Sequence, residues 1–331
     1  MLRRSSRVTP GAAGRRLQDL GGGCHAWLRP PGCWGFANSG LIVNGGQGLV
    51  VDTQNDMPMA RALHSAIQSM PHAPGVDMVV NTHGDGDHWN GNLLFDGATI
   101  IASEATLEDI RGHWLDPSKI DAYAQGDTAF AEFMRWRRDV FNYEGWRPVH
   151  PNQTYTEQLR LDVGNIQVEL HEFGPAHTSG DTIVWVPDAG VLYSGDLVFT
   201  ASTPIMWGGP LSRCVEACDR ILALEPHTIV PGHGPIIGPE GIAPIRDYLT
   251  FVIEYAKTAY QQGKSPREAY DELDLTPWRS WPHLSRTYQN INLIYRELDP
   301  QNFKGDVRDT LNVVYGEDRG DWRGLPATSA G

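Results

Sequence analysis

VDMVVNTHGDGDHWNGN, residues 76–92, decides the reading of this chain. An apolar run that reads as a β-strand delivers His83, Asp85, Asp87 and His88 within six residues. A strand end can aim such side chains into a cleft, and imidazole and carboxylate groups at this density suit divalent cations. Three later segments are built the same way. VELHEFGPA (168–176) leads into His177, GVLYSG (190–195) into Asp196, and HTIVPG (227–232) into His233. Seven groups delivered from strand ends can hold two divalent cations side by side.

Working outward, SGLIVN (39–44) and QGLVVDT (47–53) read as a hairpin closed by Gly45-Gly46, which tolerate the positive φ of a tight turn. A helix is expected over 58–70, a strand at ATIIAS (98–103), a helix over 104–113, and a longer helical insertion over 117–143. The second half reads as hairpins on Gly164-Asn165 and on Asp188 to Gly190, then a helix over 211–224 and the strand that ends before His233. Helices are expected over 241–263, 266–273 and 283–298. Strands interleaved with helices, with both halves supplying ligand residues, imply two sheets packed face to face with helices outside. The expected organisation is a disordered basic tail (1–20), a catalytic domain (21–245) with a helical insertion at 107–146, and a C-terminal helical extension (246–331).

The 331 residues carry a formal charge of −13, with scattered basic residues, which argues against a nucleic-acid partner. Arg3, Arg4, Arg7, Arg15 and Arg16 make the start basic, but no apolar stretch follows, so it does not read as a secretory signal. No segment approaches the ~20 apolar residues of a membrane span. Cys24, Cys33, Cys214 and Cys218 are too few for a disulfide scaffold and read as buried free thiols. The expectation is a cytoplasmic protein with a small-molecule substrate and neither a membrane nor a nucleic-acid partner.

The four segments in order, HGDGDH (83–88), GPAHTSGD (174–181), SGD (194–196) and PGHG (231–234), resemble the metallo-β-lactamase fold superfamily, whose pattern is HxHxDH followed by the same three contexts. The similarity extends over about 39–238 and includes the hairpin ending at Asp52. It implies a four-layer αββα sandwich of two mixed sheets, with the insertion and C-terminal helices added to it. It also implies one ion held by His83, Asp85 and His177, a second held by Asp87, His88 and His233, and Asp196 bridging both. Asp52 and Asp181 are expected to support these ligands. A shared carboxylate offsets the repulsion of two cations ~3.5–4 Å apart.

One position departs from the pattern: residue 85 is Asp where the family has His. Three carboxylates against two dications leave a less positive centre, which favours harder iron or manganese over zinc alone. Asp85 could also leave the first site weak, or bond a ligand imidazole from outside the ligand set.

The resemblance implies hydrolysis by a hydroxide shared between the ions, with Asp87 orienting it and moving its proton. No G-x-S-x-G elbow competes. The aromatic insertion, including Trp114 and Trp136, together with Met206 and Trp207 beyond Asp196, is expected to offer apolar surface to the substrate. Trp278 and Trp281 would close the same pocket or cover the core. A thioester or lactone of an apolar or aromatic molecule is the leading expectation. The rivals are a di-iron, oxygen-activating oxidoreductase and a non-catalytic metal-binding module.

Overall fold

Gly45 and Gly46 both adopt positive φ, 59° and 84°, and close the expected two-residue hairpin. The structure, a computed structural model, describes residues 17–30, 34–112, 115–304 and 307–319. The hairpin strands, β3 (Ser39–Asn44) and β4 (Gln47–Val51), lie in the middle of a seven-stranded sheet. In it β1 (Gln18–Gly21), β2 (Cys24–Trp27), β3, β4, β5 (Gly75–Val80), β6 (Thr99–Ser103) and β7 (Gln153–Tyr155) stand in chain order. Pairing is antiparallel up to β4 and parallel from β4 to β7. The second sheet holds β8 (Gln158–Val163), β9 (Ile166–Glu172), β10 (Thr182–Val186), β11 (Val191–Tyr193) and β12 (Thr228–Val230). Its order is β12-β11-β10-β9-β8, and only β11 and β12 run parallel.

Side-chain alternation assigns each face. Leu49 and Val51 of β4 meet Val184 and Val186 of β10 in the core between the sheets. Val50 points the other way, onto Leu63 and Ile67 of α1 (Met57–Gln68). Ile183 and Trp185 face outward beneath the helices of the second sheet. Each such side chain, fully buried, contributes about 1.5–3 kcal/mol of transfer free energy. The result is the four-layer αββα sandwich expected.

Beyond α1 come a single turn α2 (Gly86–Trp89), α3 (Glu104–Gly112), α4 (Ile120–Tyr123) and α5 (Ala129–Val140). Then α6 (Leu211–Ala223), α7 (Ile242–Gln261), α8 (Pro266–Glu272), α9 (Arg286–Leu298) and α10 (Val307–Glu317) follow. Asp56 caps α1 by accepting from Met59 N, and its other oxygen accepts from Asn142 N, which ties down the end of the insertion. Helix α5 packs on α10, with the Phe133 and Tyr315 rings parallel at 3.7 Å. The insertion is therefore braced by the C-terminal helices.

Several elements depart from the sequence reading, among them β1, β2, β7 and α10. Residues 18–20, expected in the basic tail, belong to β1, which pairs with β2; residues 1–16 of that tail lie outside those described. Strand β7 and helix α10 were also not anticipated. β1 ends in the first of three glycines, Gly21-Gly22-Gly23, that lead into the four-residue β2, and β7 has only three residues, so none of them shows enough alternation to register as a strand. Cys24, Cys214 and Cys218 are buried free thiols, while Cys33 lies outside the described residues. Among the described residues, no helix is long and apolar enough to cross a membrane.

Candidate metal centre

Three of the four ligand segments use one device: the side chain sits three residues past a strand's last residue. His83 follows Val80 of β5, Asp196 follows Tyr193 of β11, and His233 follows Val230 of β12. Tyr193 and Val230 are register partners in a parallel pair, so Asp196 and His233 emerge side by side. His177 comes from the loop after β9, whose turn is organised by Asp181. That carboxylate accepts from the backbone N–H groups of Ala176 and Thr178, one on each side of His177. Burial, with Glu172 nearby, lifts Asp181 to about 7. The HGDGDH loop is spanned by Trp89, whose Nε1 donates to Gly84 O at 3.0 Å.

All seven expected ligand residues come together. His83, Asp85 and His177 form one cluster, and Asp87, His88 and His233 form another, each with its ligand atoms within 4.8 Å of one another. Asp196 lies between them. Its Oδ2 is 3.2 Å from His233 Nε2, 3.5 Å from His177 Nε2 and 3.9 Å from His83 Nε2, while its Oδ1 is 3.3 Å from His88 Nε2.

The outward nitrogens fix the ring orientations. His88 Nδ1 donates to Asp52 Oδ2 at 2.7 Å, and His177 Nδ1 donates to Ile205 O at 2.8 Å. The Thr82 hydroxyl donates to Asp52 and so accepts from His83 Nδ1 at 3.0 Å. Each of these rings thus turns Nε2 inward. His83 Nε2, His88 Nε2 and Asp196 Oδ1 are buried with no hydrogen-bond partner. Orphaned buried groups of this kind are costly, and a divalent cation would satisfy all three, so the residues fit a metal centre. Asp85 Oδ2 stands 3.2 Å from His177 Nε2, on the side where an ion would lie, whereas the supporting carboxylate of Asp52 bonds an Nδ1.

Replacing Asp52 by alanine removes the partner of His88 and the acceptor that orients Thr82. The expected result is a ~10–100-fold loss of metal affinity with the fold retained. A metal titration followed by calorimetry reads this directly.

Charge on the imidazoles follows the same geometry. Burial opposes protonation of His177 and His233, but Asp85 and Asp196 for the one, and Asp196 and Asp87 for the other, outweigh it and lift both to about 9. His83 is held down to about 3 by burial and by its neighbours His88 and His177. A cation needs neutral imidazole, so below about pH 9 binding must displace protons. Metal affinity is expected to rise with pH towards that value and then flatten, with proton release visible as a buffer-dependent heat. An affinity independent of pH between about 6 and 8 would contradict this.

The two clusters open onto a cleft of about 400 Å³ whose apolar walls include Trp34, Phe199, Ile205, Trp207 and Tyr315. Of the expected pocket residues, Trp207 lines it. Met206 does not: it is fully buried, its N–H donates to Asn290 Oδ1 and its carbonyl accepts from Gln289. Trp136 also points elsewhere, stacked on Phe133 with its ring centroid 5.2 Å away. Trp114 lies outside the described residues. Trp278 and Trp281 cover Tyr248 of α7 and are not part of the cleft wall. Sequence reasoning missed Trp34, Phe199, Tyr315 and the cleft arginines Arg137, Arg286 and Arg296. No local pattern marks them, because distant segments carry them to the cleft.

The family model described as the metallo-beta-lactamase superfamily matches residues 34–233, and the chain belongs to that superfamily. Among curated proteins it is 26% identical over 202 residues to the 2,4-dinitroanisole O-demethylase subunit alpha of Nocardioides sp. (strain JS1661), a match covering 58% of this chain and 51% of that one. The alignment therefore spans about half the length of that relative. It is 24% identical over 254 residues to the Beta-lactamase-like protein 2 homolog of Drosophila melanogaster, covering 74% of this chain and 77% of that one. Among solved structures, a metallo-beta-lactamase from Pontibacter korlensis superposes with a TM-score of 0.54 at 16% identity, covering 71% of this chain and 98% of that one. A sec-alkylsulfatase from Pseudomonas sp. gives a TM-score of 0.64 at 16% identity, covering 88% of this chain and 52% of that one. At these identities the structural likeness speaks for the fold.

Proposed function

We propose that this protein is a metal-dependent hydrolase of an ester-like bond, a thioester or lactone, in a small molecule with an apolar or aromatic part. One observation carries the reading: the clusters around Asp196 border an open cleft with aromatic walls, whereas a purely structural metal site is closed by protein ligands. His83, Asp85 and His177 would hold one divalent cation, Asp87, His88 and His233 a second, with Asp196 shared. Such a pair, when bound, supplies an acidified water and a Lewis acid for the scissile carbonyl. Asp87 is pulled well below the usual carboxylate range by His88 and His233, against its burial, so it stays anionic at the cleft. There it would orient the attacking water and pass a proton towards the leaving group. Trp207, Phe199 and Tyr315 would exclude solvent around the substrate's apolar part.

The carboxylate at position 85 supports harder ions, iron or manganese, in at least one of the two positions. It also keeps open a rival reading, a di-iron centre that activates oxygen. One preparation tests both. Protein purified without chelators is assayed on a panel of esters, thioesters and lactones, and separately for oxygen uptake with a reductant. The hydrolase reading expects turnover that a chelator abolishes and manganese, iron or zinc restores. No metal-dependent hydrolysis across the panel, with oxygen consumed, would favour the rival.

A further inference from the structure

The cleft wall formed by α5 and α9 carries cations that the protein itself leaves unpaired. Arg137, Arg286 and Arg296 all line the cleft, and none makes an ion pair among the described residues, although the chain as a whole carries a charge of −13. The Nε of Arg137 and the Nε of Arg286 are buried without a hydrogen-bond partner. Arg137 makes one long hydrogen bond, from Nη2 to the Tyr143 hydroxyl at 3.4 Å. Arg286 is 4% exposed and uses only Nη1, towards Ser202 Oγ and Thr203 O. Its guanidinium lies 4.0 Å over the Trp34 ring and 5.7 Å from the ring centroid of Phe199, which itself stacks on His233. Arg286 is thereby held rigidly beside the metal centre with donors unused.

Nearby acids do not answer these charges. Asp318 acts on Arg286, but its oxygens already accept from Trp34, His283 and Ser285. Glu108, also at the cleft, is paired with Arg111, and Asp109 accepts from Ser179 N. Asp85, Asp87 and Asp196 face the imidazoles and would be engaged by cations. Guanidinium groups that are buried, as Arg286 is, or half-buried, as Arg137 is, with free donors and no acid are what a planar or tetrahedral oxyanion fits.

We propose that Arg137 and Arg286 bind an anionic group of the substrate, a carboxylate or a sulfate-like oxyanion, while its apolar part lies against Trp34, Phe199 and Tyr315. The proposal rests on the hydrolase reading for the word substrate, but the site itself is testable without turnover. Both arginines would bind this group of the substrate directly, so their loss should raise KM far more than it lowers kcat.

The test is calorimetric binding of phenylacetate, phenyl sulfate and neutral phenylacetamide to the metal-loaded protein. The expected result is that at least one anion binds ~10-fold or more tightly than the amide, and that Arg137→Gln weakens it ~10–100-fold with metal content and Tm unchanged. Arg286 also holds Ser202 and Thr203, so it is tested as Arg286→Lys, which keeps the charge but loses the fork and should weaken the anion while sparing the amide. The ranking of the two anions tells carboxylate from sulfate. Equal binding of the amide, or equal anion affinity in wild type and Arg137→Gln, would overturn the proposal, the latter by placing the anion on the cations. Anion binding that depends on Arg137 in a protein that hydrolyses nothing would count against the hydrolase reading and leave the anion site standing.

Discussion

Asp196→Ala is expected to lower kcat/KM at least ~10³-fold, beyond the ~10²–10³-fold that removal of a single transition-state donor costs, and to leave the protein unable to keep its full metal content. Among the described residues, no other side chain borders as many ligand atoms: its oxygens lie 3.2–3.9 Å from the Nε2 atoms of His83, His88, His177 and His233. Without it, four imidazoles surround two positions whose mutual repulsion nothing offsets, and each cluster keeps only its own carboxylate. Burial would raise the Asp196 pKa, yet His233 and His88 pull it well below the usual range, so the carboxylate is present at any working pH. Asp196→Asn keeps the shape and loses the charge. It should resemble alanine in activity and metal content, since the charge between the cations is what matters. Elemental analysis alongside the assay decides, and an active alanine variant with wild-type metal would refute the two-ion arrangement.

Gly232→Ala is expected to be nearly as damaging, although glycine offers no ligand. A Cβ built there would overlap Asp196 Oδ1 and lie 2.7 Å from the carbonyl carbon of Gly195. Neither contact can be accommodated in place, and the segment next to His233 is itself pinned by Gly232 N donating to Gly195 O at 2.8 Å. The methyl group must displace the bridging carboxylate or the Gly195 backbone, at a stability cost of about 1–3 kcal/mol. Activity should fall at least ~10²-fold because metal spacing and water placement depend on that carboxylate. Far-UV circular dichroism should stay native while metal retention drops. Wild-type activity in Gly232→Ala would mean that Asp196 does not sit where the structure places it.

The ligand set was legible because the chemistry is concentrated at strand ends. Val80, Tyr193 and Val230 each close a strand, and the ligand stands three residues later, so a strand period followed by His or Asp is visible in the text. The sandwich followed from strands interleaved with helices, from ligands supplied by both halves, and from the resemblance that the four motifs carry. The cleft wall was far less legible. Met206 and Trp207 are neighbours in an irregular loop, and only one of them faces the cavity; residue types could not choose between them. In the insertion, the aromatic count drew attention to Trp136, while its neighbour Arg137 reaches the cleft. Whether a helical residue faces core or cleft depends on which helix covers it, and α10, which covers Phe133, was not foreseen. Arg286 sits 53 residues beyond His233, the last of the metal segments, and gains meaning only when α9 folds beside Phe199. Long-range packing of this kind has no local signature.

The most direct measurement is the metal content of the wild-type protein purified without chelators, by elemental analysis per chain, followed by titration of the stripped protein. Close to two divalent ions are expected, with iron or manganese among them, and both should be recovered on titration. A protein that carries no divalent ion and takes up none would contradict the two-ion centre.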